Sequence, residues 1–167
     1  MNDGLIDSFR HSAWAMRELL TVCQTLTETQ LDTTVQGTYG SIIATLRHTV
    51  ASEAGYCRRL MGEEPVWYER VRESSNLDEL SEYIDDLAAR WERFLSTPFD
   101  AERTFVVKWH DVVDRDVPAG IFLAQTLHHA NEHRTQICTT LSSIGLSTPD
   151  MGLWDYAEAM NRAPRTA

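Results

Sequence analysis

The sequence predicts an all-α fold, a four-helix bundle with a short extended or hairpin connection between its third and fourth helices. Three observations lead there. Apolar residues recur at three- and four-residue steps through four long segments. Glycine and proline punctuate the ends of most of those segments. β-prone residues are confined to two short runs.

The first helix is predicted over about Leu5–Leu26, with Leu5, Phe9, Ala13, Met16, Leu20 and Cys23 along one face. The second spans about Tyr39–Met61, its stripe made of Ile43, Leu46, Val50, Ala54, Cys57 and Met61, and Gly62 and Pro65 stop it. The third opens at a capping pair of Ser75 and Asp78 and continues through Leu80, Tyr83, Ile84, Leu87, Trp91 and Phe94 towards Pro98. The fourth starts at Pro118, suited to a first helical turn, carries Phe122, Ala130, Ile137, Leu141 and Ile144, and ends at Gly145 as a C-terminal cap. The runs Thr104–Trp109 and Val112–Val117 flank His110 and Asp111 and form either a hairpin or a plain extended loop. A short terminal helix is expected over Asp150–Met160. Residues 1–167 read as a single domain, since no linker, repeat or low-complexity tract divides them.

Fifteen basic against twenty-five acidic residues give a formal charge of −10, which repels phosphate backbones and anionic membrane surfaces. The expectation is no nucleic acid and no membrane: the opening Met1-Asn2-Asp3-Gly4-Leu5 does not read as a signal peptide, and no apolar run is long enough to span a bilayer. Cys23, Cys57 and Cys138 form an odd set without CxxC pairing, each in a helical pattern, as expected of small core residues in a reducing compartment. The predicted location is the cytoplasm.

The chemistry concentrates in the histidines. His129 and His133 are four residues apart, so their imidazoles point the same way from one helix and can share an ion. Phe122, Ile137 and Ile144 lie on the adjacent arc, which puts the pair at the edge of the buried stripe. Imidazoles there need a metal, a carboxylate or backbone carbonyls as partners. Ala130 follows His129, so the general base of an HExxH protease is missing. The best third ligand is His48. It lies opposite the large stripe of its helix, among Ser41, Ala44, Ser52 and Gly55, and faces either an inner cleft or solvent. His128 is turned about 100° from His129 around the helix and suits packing or support. Glu132 and Gln136 flank the pair and are the candidates for orienting an imidazole or a bound water; a solvated Glu132 is the competing reading. His11 and His110 read as surface residues. No Ser or Cys triad signature and no glycine-rich phosphate loop is present.

The residues then resemble the DinB/YfiT-like metalloprotein superfamily over nearly the whole chain. Arg10-His11-Ser12-Ala13-Trp14-Ala15-Met16-Arg17-Glu18-Leu19-Leu20 is similar to the family's first helix. The stretch from Tyr39 through Leu46-Arg47-His48 resembles a second-helix motif ending in a ligand histidine, with Glu53 following. Leu127-His128-His129-Ala130-Asn131-Glu132-His133-Arg134-Thr135-Gln136-Ile137 resembles the HxxxHRxQ block that supplies two more ligands, and Leu141, Gly145, Pro149 and Asp150–Tyr156 its closing segment. Thr135 stands where glycine is commoner, a change expected to tighten helix packing. The resemblance implies a bundle that often dimerises, with zinc or nickel held by His48, His129 and His133. It also implies enzymes such as S-transferases or isomerases that use a low-molecular-weight thiol on a small-molecule substrate. The alternative is a non-catalytic bundle that the metal staples, or a small-ligand-binding protein. A homodimer is expected, with Trp67 and Trp91 as candidate anchors.

Overall fold

The computed structural model describes residues 3–108 and 113–163. It is mostly helical. Four long helices, α1 (Asp3–Cys23), α3 (Ile42–Met61), α4 (Leu77–Leu95) and α5 (Ala119–Ser143), are joined by the short α2 (Glu28–Leu31), a two-stranded sheet of β1 (Thr104–Lys108) and β2 (Asp114–Pro118), and a last helix α6 (Leu153–Ala159). A 3-10 turn, Arg70–Arg72, precedes α4.

Capping chemistry sets most of the boundaries. Ser41 accepts from the Ala44 N–H, so α3 begins at Ile42 and not at Tyr39. It ends at Gly62, whose left-handed backbone suits a residue without Cβ and whose N–H reaches the Arg58 carbonyl. In α4 the cap is Asn76, whose Oδ1 accepts from the N–H groups of Asp78 and Glu79. This corrects the expected Ser75, one residue away and equally polar. Pro118 stands just before α5, and Gly145, also left-handed, follows its end. The sequence reading missed α2, although Thr27 and Gln30 form a reciprocal capping box around its first turn. The two β-prone runs pair antiparallel from Thr104 opposite Pro118 to Lys108 opposite Asp114. The expected turn at His110 and Asp111 lies outside the described residues.

The long helices pack α1 on α4, α4 on α3, α3 on α5 and α5 on α1, so each touches two others. Their shared interior holds Phe9, Leu19, Leu46, Leu80, Leu87, Trp91, Ile137 and Leu141, all at most 5% exposed. Each such side chain contributes about 1.5–3 kcal/mol by leaving water. Trp91 packs its ring 4.7 Å from Phe9 and gives its indole N–H to Glu53 at 2.9 Å. Trp67 stacks on Tyr83 and donates to Asp86. With 5% and 2% exposure, Trp67 and Trp91 belong to the intrachain core, which corrects their expected use as interface anchors. Thr135 is exposed and bonds back to the Asn131 carbonyl, so it tightens no packing.

α3 decides where the site forms. It is flanked by α4 on one side and α5 on the other. Helix α3 therefore buries a large apolar stripe and also a stripe of small residues, including Ala51 and Gly55. The second stripe carries His48 towards α5.

Candidate metal centre

His48 comes from the middle of α3, and His129 and His133 come from one face of α5. The Nε2 of His129 lies 3.1 Å from the Nε2 of His48 and 3.1 Å from that of His133. Two imidazole nitrogens sharing a tetrahedral zinc at about 2.0–2.1 Å stand about 3.3 Å apart, so the donor set fits a small divalent ion. Among the described residues, these three make up a group of nitrogen or carboxylate donors close enough to hold a metal, and no fourth His, Cys, Asp or Glu joins them. The His48 alternative of a solvated helix face does not hold, because its ring is half-buried against the other two.

Burial favours the neutral form of His129 and His48, the form that binds metal. Burial pushes the His129 pKa down to about 4, helped by His133, His48 and His128 nearby. Burial likewise lowers His48, with further contributions from His133 and Arg72.

The surroundings fix the rings. The Gln136 Oε1 lies 2.9 Å from the Nδ1 of His133 and accepts the Tyr39 backbone N–H at 3.0 Å. An amide oxygen at Nδ1 requires the proton there and leaves the Nε2 lone pair for an ion. The Tyr39 ring stacks on His48 at 3.9 Å and meets His133 edge-on at 5.3 Å. Tyr56 stands edge-on to His129 at 6.1 Å.

The other residues singled out in the sequence lie elsewhere. Glu132 projects from the exposed side of α5, its carboxylate 3.9 Å from the Nδ1 of His128, which is more exposed still. The Glu53 carboxyl takes the Trp91 N–H, and burial raises its pKa. His11 is half-buried and not a plain surface residue: its Nε2 lies 2.8 Å from the Met151 carbonyl oxygen, and its ring packs edge-on to Tyr156, tying α1 to the segment before α6. Cys23 and Cys57 are fully buried with thiols pushed up to about 12, and burial raises Cys138 as well.

Beside His48 opens a cleft of about 590 Å³, whose floor is the small face of α3 at Ala44, Ser52 and Gly55. Tyr39, Tyr56 and Tyr68 form walls, and Arg47, Arg59 and Arg72 stand around it. A Cβ at Gly55 would lie 3.4 Å from the Tyr68 hydroxyl, so the bare backbone brings Tyr68 close against α3. Sequence reasoning missed the arginines and tyrosines, which come from α3 and from loops that pattern alone does not bring together.

A family model described as DinB family matches residues 1–165. The chain belongs to the DinB family. No curated protein matches it. Membership and the three-histidine cluster together fit a metal-binding DinB-like protein. No helix among the described residues is long and apolar enough to cross a membrane.

Proposed function

We propose that this DinB-family chain is a divalent-metal-dependent enzyme on a four-helix bundle, a transferase or isomerase that uses a low-molecular-weight thiol on a small-molecule substrate. The observation that carries the reading is the convergence of three imidazoles beside a cleft, with no fourth protein donor among the described residues. Zinc or nickel held by His48, His129 and His133 would supply an open Lewis-acidic position that lowers the pKa of a bound thiol or water.

The chain's own residues support that use. Gln136 holds the His133 tautomer, and the Tyr39 ring covers one side of His48 and narrows the approach to the cleft side. An apolar hollow of about 330 Å³ shares Tyr56 with the cleft and is lined by Val107, Val117 and Phe122, which suits a soft electrophile. Cys23 and Cys57 do not serve as nucleophiles, because their thiols are buried and protonated. Free thiols throughout support a reducing compartment, the cytoplasm, and the charge of −10 weighs against nucleic acid and anionic membranes. A homodimer is part of the proposal, supported by Leu153 and Trp154, which are 58% and 85% exposed on α6 and leave apolar surface for a partner to cover. Light scattering at tens of micromolar tests it, and a monomer mass refutes it.

The test of the enzyme reading is elemental analysis followed by cobalt substitution. One divalent ion per chain is expected, lost in His48→Ala, His129→Ala and His133→Ala, and 2-mercaptoethanol should shift the cobalt ligand-field bands. Bands that no thiol perturbs would leave a metal that only ties α3 to α5.

A further inference from the structure

The walls of the cleft carry charge of one sign. Acidic residues outnumber basic ones by twenty-five to fifteen in this chain, yet no Asp or Glu lines the cleft, whereas Arg47, Arg59 and Arg72 all do. Several arginines elsewhere are neutralised: Arg10 pairs with Glu92, Arg17 with Asp85, Arg58 with Glu64, and Arg90 with Asp86. Among the described residues, Arg47, Arg59 and Arg72 have no carboxylate partner. Three like charges gathered without a counterion around a concavity repel one another and leave most of their forked N–H donors free for an anion.

We propose that the cleft binds a small molecule bearing an oxyanion group, a carboxylate or phosphate, which Arg47, Arg59 and Arg72 hold while the rest of the molecule reaches the three histidines. The placement fits. Arg47 directly precedes His48, Arg59 lies one turn beyond Gly55 on the same face of α3, and Arg72 enters from the 3-10 turn. Arg72 is steadied over the Tyr68 ring at 5.7 Å, with its Nη2 3.5 Å from the Tyr68 hydroxyl, a favourable seat for a cation on an aromatic face. Ala44, Ser52 and Gly55 leave room for the ligand between the cations and His48, through which the other two imidazoles are reached. A guanidinium binds an oxyanion through two parallel hydrogen bonds, which a lysine ammonium does not reproduce.

The proposal rests on the thiol-enzyme reading for what happens at the metal, though not for the anion itself, and the experiment separates the two. Cobalt-loaded protein is titrated with 2-mercaptoethanol and with 2-mercaptoethanesulfonate, two thiols that differ in one anionic group. The charged thiol should bind at least about tenfold tighter at low salt, and the preference should shrink as salt rises towards about 200 mM. The triple variant Arg47→Gln, Arg59→Gln, Arg72→Gln should bind both thiols alike. In parallel, metal-free protein is titrated with succinate and with inorganic phosphate by calorimetry. Binding of either is expected and should vanish in the triple variant, and the tighter of the two identifies the oxyanion class. Equal affinity for the two thiols, or a preference that survives in a folded triple variant, overturns the proposal while leaving the metal reading intact. If no thiol perturbs the cobalt bands but succinate or phosphate still binds through the arginines, the anion site stands and the thiol reading falls. No binding of either anion to metal-free protein overturns the proposal as well.

Discussion

Replacing Gln136 by alanine removes one oxygen that serves two donors, the Nδ1–H of His133 and the backbone N–H of Tyr39. Each hydrogen bond is worth about 0.5–1.5 kcal/mol net, so the pair amounts to about 2 kcal/mol. Only the part that favours the metal-bound tautomer appears in metal affinity, where loss of a partner that orients a ligand costs about 10–100-fold. The single His133 bond, at up to about 1.4 kcal/mol, corresponds to about tenfold, the low end of that range. The assay is competition for zinc against a chromogenic chelator at neutral pH. Imidazole nitrogen NMR should report whether the His133 proton stays on Nδ1. Gln136→Ala should weaken binding about tenfold and let the proton redistribute to Nε2 in the metal-free protein. Glu132→Ala, on the exposed side of the same helix, should change affinity by less than about twofold. A Gln136→Ala protein that holds zinc within about twofold of the parent would refute the orienting role.

Further outcomes follow from the same contacts. His129 has its folded pKa depressed to about 4 against about 6.5 in the unfolded chain, so the unfolded state binds more protons between those values. Metal-free protein should therefore lose stability as pH falls from about 6.5 to about 4, and a His129→Gln variant should show a flatter thermal-melting slope over that window; equal slopes refute it. Acid release of metal should centre below about 6.5, as read by retention on gel filtration across pH. A thiol reagent should modify Cys23 and Cys57 in native protein only as fast as the chain opens, since both are fully buried, and rapid reaction at either contradicts the structure. Trp91→Phe should cost about 1–3 kcal/mol in denaturant unfolding, because it strands the buried Glu53 carboxyl, and Glu53→Gln with Trp91 intact should cost less.

Periodicity was enough to find the long helices because each buries a stripe long enough to repeat. It was enough for the HxxxH pair because both ligands ride one helix. Other features had no such signal. Ser75 and Asn76 are both good caps, and only the entry path of the chain selects Asn76. Glu132 and Gln136 both neighbour the ligand face, yet Gln136 sits half-buried one turn past His133, where its amide can meet Nδ1, and Glu132 points outward. Trp67 and Trp91 looked like anchors because a large aromatic serves a core or an interface equally well in sequence. The cleft was half visible in the small face of α3. Its arginines were invisible, since Arg72 comes from a turn beyond the end of α3 that no pattern joins to His48.

Tyr39 belongs to two structures at once. Its ring is a wall of the cleft and lies flat on a ligand histidine, and its backbone N–H shares the oxygen that fixes another. A guest that displaces the ring would release one side of His48 and so change how firmly an ion is held there. By thermodynamic reciprocity the ion then changes the guest's affinity by the same factor. The residue makes metal retention a gauge of what occupies the cleft, so chelator sensitivity measured with and without a small molecule would report its binding even before any reaction is known.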